Sequence, residues 1–244
     1  MIKSFDKDRN IVICDDIVEF SCDYFLDIAK ESIEKNGAFF VALSGGSTPK
    51  KLYNRLKQHK NSIDWTKVYL FFSDERSVSS TNIDSNYFMA MESGFKDLPI
   101  PQKQIFRMHA EDNIEENAKA YQASISKFIK DQSFDLILLG MGEDGHTASL
   151  FPNTKGLKEN KALVINNFVP ALNTNRMTFT YPLIEKAKHI VFLVSGLSKA
   201  PMVEKVLKDR GENFPAAKVT SNNNKVLWLL DKDASSKLFP NSFN

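Results

Sequence analysis

Five short apolar runs recur along this chain: Gly37-AFFVAL, Lys67-VYLFFS, Phe134-DLILLG, His189-IVFLVS and Lys225-VLWLLD. Each is rich in branched and aromatic residues and reads as a buried strand. Amphipathic stretches separate them. Ile17, Phe20, Tyr24, Ile28 and Ile33 are spaced for one helix face, and Ala118, Tyr121, Ile125, Phe128 and Ile129 for another. The alternation predicts βαβ units, and hence an α/β fold with a mostly parallel, Rossmann-like sheet flanked by helices on both faces. In such sheets ligands bind beyond the carboxyl ends of the strands, so those ends are where function is sought. No repeat or long linker divides residues 1–244, and a single domain is expected. Ser93 to His109 predicts a connection across the sheet surface, and the polar tail from Asp231 to Asn244 is expected to fray.

Composition narrows the function classes. Lys and Arg number 32 against 30 Asp and Glu, with no block of like charge, which argues against nucleic acid as a partner. Only Cys14 and Cys22 are present, without a C-x-x-C pair, so neither a zinc ribbon nor a disulfide framework is supported. The first residues, MIKSFDKDRN, lack an apolar signal-peptide core, and no apolar stretch approaches a membrane span. A cytoplasmic protein with no membrane partner is expected.

Four strand ends carry chemistry. The first leads into Ser44-GGSTPKKLY, where Gly45 and Gly46 allow close backbone approach, Ser47 and Thr48 supply hydroxyls, and Pro49 suits a first helical turn. This pattern fits either an ordinary capped helix or a phosphate-binding helix start. The second ends in Asp74, Glu75 and Arg76, which alone would read as a solvated cluster. The third, Gly140-MGEDGHTASLFP, formally matches a dinucleotide fingerprint, but Pro152 interrupts the required helix and no acidic residue closes the next apolar run, Ala162-LVIN. What remains is Asp144 and His146 in a glycine turn, a general-base arrangement. The fourth, Ser195-GLSKAPMVEKVL, puts Lys199 near a helix N-terminus, a placement that an adjacent anion would compensate. Arg176, before a turn in Asn175-RMTFTYP, is a further cation.

Together Leu43-SGGSTP, Ser73-DER, Ser85-NY, Gly140-MGEDGHTASLFP, Arg176-MTFTYP and Gly196-LSKA resemble the 6-phosphogluconolactonase family, within the group that includes glucosamine-6-phosphate deaminases. The resemblance implies one α/β domain, no metal or organic cofactor, and hydrolysis of 6-phospho-D-glucono-1,5-lactone, a sugar-phosphate lactone, in the oxidative pentose phosphate pathway. It implies that His146 is the general base with Asp144 beside it, that Gly45, Gly46, Ser47 and Thr48 form the phosphate loop, and that Arg76, Arg176 and Lys199 face the substrate. Arg76 is the first candidate to stabilise the oxyanion. The deaminases resemble D-G-H-x-A-F-N-E-P, and the Glu of that pattern falls on Phe151 here, which cannot carry a proton. The alternatives are a deaminase-like enzyme, which would release ammonia, and a non-catalytic sugar-phosphate sensor.

Overall fold

A computed structural model describes residues 2–208 and 214–238 of the 244. The chain opens with strands β1 (Lys3–Ser4) and β2 (Arg9–Cys14), then helix α1 (Ile17–Asn36). It continues through β3 (Phe39–Leu43), α2 (Ser47–Leu56), β4 (Val68–Phe72), β5 (Asp74–Arg76), α3 (Asn86–Ser93) and α4 (Ile114–Phe128). The second half runs β6 (Leu136–Leu139), β7 (Val164–Val169), β8 (Thr174–Phe179), α5 (Tyr181–Ile184), β9 (His189–Val194), α6 (Ala200–Lys208), β10 (Val226–Asp231) and α7 (Lys232–Ser235).

All five predicted strands enter one seven-stranded sheet of order β1-β2-β10-β9-β6-β3-β4, parallel except for β1. Every residue of β6 is buried, so both faces of the sheet are covered there. Its packing is aromatic-rich: Phe192 stacks on Trp228 across β9 and β10 with ring centroids 4.0 Å apart. Each such fully buried side chain contributes about 1.5–3 kcal/mol relative to an exposed one.

Helix α1 starts where the Asp16 carboxylate accepts from the Val18 and Glu19 N–H groups, and it stops at Gly37 with φ 76°. Its buried face includes Ile17, Ile28 and also Phe25 and Leu26, while Phe20, Tyr24 and Ile33 pack at its margins. The predicted stripe is therefore displaced by about one residue around the helix. In α4, Ala118, Tyr121 and Ile125 face inward as predicted and Ile129 is buried just past the end, but Phe128 is only partly covered, against Phe106 and Tyr69.

A second sheet, which the apolar runs did not announce, has the antiparallel order β5-β8-β7. The chain crosses into it at Ser73, whose N–H donates to the Leu43 carbonyl of the large sheet and whose carbonyl accepts from Phe179 of β8. The DER triplet is thus a strand, not a solvated cluster. Arg176 lies inside β8, not before a turn. The Ser93–His109 connection does not cross the sheet surface but runs along its edge, where Ile105 lies parallel to Leu70 and Phe106 donates to the Leu70 carbonyl of β4. The expected fraying does not begin at Asp231, which ends β10 and caps α7 through the Ala234 N–H; Leu238 is buried, and 239–244 lie outside the described residues.

Candidate active site

The carboxyl ends of β3, β4, β6 and β9 open on a cavity of about 590 Å³. Gly45, Gly46, Ser47, Thr48, Arg76, Asp144, His146, Arg176 and Lys199, the nine residues read from the sequence, all line it.

The loop after β3 is fixed by Tyr53 of α2. Its buried hydroxyl donates to the Ser44 carbonyl at 2.8 Å and accepts from the Ser44 N–H at 3.1 Å. Gly46 then adopts φ 115°, a conformation side chains rarely take, and leads into α2 with neither a side-chain cap nor an acidic residue in the first turn. The free N–H groups of that turn therefore face the cavity without internal competition for an anion.

The turn after β6 folds on itself. Gly142 donates to the His146 carbonyl, Gly145 donates to the Gly142 carbonyl with φ 80°, and Thr147 Oγ1 donates to the Gly140 carbonyl. No α-helix follows before β7, which agrees with rejecting the dinucleotide fingerprint. Asp144 Oδ1 accepts from the His146 N–H at 3.1 Å and from His146 Nδ1 at 2.5 Å. Burial pushes the Asp144 carboxyl up, but the hydrogen bond and charge of His146 and the backbone donors outweigh it, so the net shift is downward. An ionised carboxylate only accepts, so the proton of a neutral imidazole sits on Nδ1 and Nε2 keeps its lone pair. Phe151 stacks on the imidazole with centroids 3.9 Å apart and planes inclined by 22°. The residue that separates the two sequence patterns is thus in direct contact with the candidate base.

The cations come from three elements. Arg76 and Arg176 are direct partners across β5 and β8, a like-charge pairing that is unfavourable in itself. Arg76 Nη1 donates to the Asp84 carbonyl at 2.5 Å, whereas Arg176 Nε and Nη1 are buried and donate to nothing among the described residues. Desolvation, followed by the charge of Arg76, holds the Arg176 guanidinium below its usual range, against the pull of Asp74, Glu75 and Asp84. A bound anion would satisfy both the orphaned donors and the repulsion. Lys199 precedes α6 in a turn held by Asp231, whose two carboxylate oxygens accept from the Gly196 N–H at 3.0 and 3.1 Å.

Four further residues shape the cavity. Glu75 is 2% exposed and accepts from the N–H groups of Arg76, Asn86 and Tyr87 and from Ser85 Oγ, tying β5 to the start of α3. Burial dominates over these donors and pushes its carboxyl up. Asn86 packs so closely under Gly45 that any Cβ there would overlap its amide. Ser149 and Asp74 also line the cavity. The sequence placed all of these inside motifs, but their roles depend on partners brought from other strands.

A family model described as glucosamine-6-phosphate isomerases/6-phosphogluconolactonase matches residues 14–228. A 6-phosphogluconolactonase of Chlamydia pneumoniae is 43% identical over 84% of this chain and 80% of its own length. One from Chlamydia trachomatis is 39% identical over 96% and 92%. The solved 6-phosphogluconolactonase of Thermotoga maritima superposes with a TM-score of 0.81 at 28% identity, covering 91% of this chain and 99% of that one.

Proposed function

The chain belongs to the family of glucosamine-6-phosphate isomerases and 6-phosphogluconolactonases, and on that premise we propose that it hydrolyses 6-phospho-D-glucono-1,5-lactone to 6-phosphogluconate, as a cofactor-free carboxylic ester hydrolase of the oxidative pentose phosphate pathway. The observation that carries this reading is the Asp144–His146 hydrogen bond in a cavity that also holds Arg76, Arg176 and Lys199.

His146 Nε2 takes a proton from water as the water oxygen bonds to the lactone carbonyl carbon. The carbon–ring-oxygen bond then breaks, and the same nitrogen returns the proton to the departing oxygen. Asp144 keeps the imidazole in the productive tautomer and balances its charge while protonated. The cations and the N–H groups at the start of α2 supply positive charge for the phosphate and for the tetrahedral oxyanion. Anchoring the remote phosphate orients the carbonyl, so binding energy lowers the barrier. Phe151 against the imidazole favours this reaction over deamination, which needs a proton carrier at that place.

A single-domain organisation, a cytoplasmic setting and no nucleic-acid partner belong to the same proposal. Supporting it are one continuous hydrophobic core, free thiols at Cys14 and Cys22, the near balance of charge, and the lack, among the described residues, of a helix long and apolar enough to cross a membrane. The test is lactone turnover by the purified protein, corrected for spontaneous hydrolysis, beside His146→Ala. Turnover that disappears in the variant is expected. Ammonia release from glucosamine 6-phosphate without lactone turnover would assign the deaminase reaction instead.

A further inference from the structure

Ser149 sits two residues before Phe151 and three after His146, lines the cavity and is 2% exposed. Every polar group it owns is engaged, and each by a different strand of the small sheet. Its Oγ donates to Asp74 Oδ2 of β5 at 2.7 Å. Its carbonyl accepts from Asn167 Nδ2 of β7 at 2.8 Å, and its N–H donates to Thr178 Oγ1 of β8 at 3.1 Å. Asp74, Asn167 and Thr178 are all buried. Next to Ser149, Ala148 is held at φ 46°, a left-handed conformation that a non-glycine residue keeps only when its surroundings impose it.

We propose that Ser149 is a positioning residue that sets the His146–Phe151 stack for the reaction, acting chiefly through Asp74. The Asp74 carboxylate has no oxygen to spare: Oδ1 accepts from Asn86 Nδ2 at 3.2 Å while Oδ2 holds Ser149. Asn86 in turn lies against Gly45. One buried carboxylate thus bridges the loop at the start of α2 and the turn that carries the base. Its use is to fix the separation of two segments beyond the ends of the paired strands β3 and β6, where the sheet no longer holds them. A misplacement of the order of 1 Å at a reacting group costs about 10²-fold in rate, so small slack here matters.

This inference rests on the lactonase reading, and the test separates the two. Ser149→Ala should remain folded, lower kcat by about tenfold or more and change KM by less than about threefold, because the phosphate-facing groups are untouched. Asp74→Ala should lower kcat at least as much, since it also releases Asn86, and the double variant should be no worse than Asp74→Ala alone, since the Ser149–Asp74 bond is lost in both. Asp74→Asn keeps an acceptor for Ser149 and should retain most of the kcat that Asp74→Ala loses. Independently of activity, the ring NMR signals of His146 should shift or broaden in Ser149→Ala while those of His59, His109 and His189 stay. Additive losses, an Asp74→Asn as impaired as Asp74→Ala, or unmoved His146 signals would each overturn the proposal. Absence of lactone turnover in the unmodified protein, with His146 signals responding as expected, would overturn only the lactonase reading.

Discussion

Gly142→Ala separates the integrity of the candidate site from the integrity of the fold. Gly142 does not occupy the left-handed region, so its backbone accepts alanine without conformational strain. The obstacle is space. A Cβ would overlap His146 Nδ1 and Cε1 and lie 2.5 Å from Asp144 Oδ1, where ordinary contact begins at 3.4 Å. Both side chains must withdraw by about 1 Å, which breaks the bond between them and pushes the imidazole out of its stack on Phe151. The obstructing atoms are side-chain ends on a partly exposed turn, so the fold itself can adjust. Loss of one solvent-screened hydrogen-bonded pair costs about 1 kcal/mol or less, or roughly 2–4 °C in melting temperature for a chain of this size. Loss of alignment costs about 10²-fold in kcat. Steady-state lactone hydrolysis, run beside thermal melting, measures both. A variant whose kcat stays within about threefold of the unmodified protein would refute the argument that the pair must be held in place.

His146→Asn should bind 6-phosphogluconate, seen as a raised melting temperature, yet lose about 10²–10⁴-fold in turnover. Arg176→Ala should weaken the thermal stabilisation given by inorganic phosphate or 6-phosphogluconate, because a half-buried cation whose Nε and Nη1 have no partner among the described residues is lost; an undiminished shift would take Arg176 out of the anion site. The depressed Asp144 carboxyl should stay ionised below the ordinary carboxylate range, so its contribution to stability is present above about pH 4 and disappears as pH falls through the lowered value; a ¹³C titration of that carboxyl reads it directly. Glu75 has the opposite sign. Its raised value means the folded state binds the proton more tightly, so stability falls as pH rises from the unfolded value through the folded one, and that slope should vanish in Glu75→Gln even though the variant is less stable at every pH for want of acceptors.

Five of the seven strands of the large sheet could be read from the sequence because runs such as Val68–Phe72 and 226–230 are apolar on both faces, a pattern that surrounding context does little to change; β1 and β2 are not among those runs. The small sheet could not. Its β5 has three residues, all charged, and β8 begins Thr174-NR, so neither carries a local signal of pairing. Arg176 is therefore legible as a cation, but its place inside β8 is not. The site residues were legible where chemistry and glycine turns coincide, as at Asp144 and His146. Ser149, Asn86 and Asp231 were not, since a serine or asparagine becomes a support only when a distant strand supplies its partner.

The pairing of Arg76 with Arg176 has a kinetic consequence. It joins positions about 100 residues apart, and contacts of such long sequence separation form late because loop closure must precede them. The helices and the adjacent β3–β4 pair can form before the small sheet closes, whereas the cleft needs β5, β7 and β8 together. During refolding from denaturant, far-ultraviolet dichroism should recover ahead of catalytic activity, and amides of β5 and β8 should gain protection from hydrogen exchange after those of β3 and β4. The working cleft is then complete only after β3 and β4 have paired.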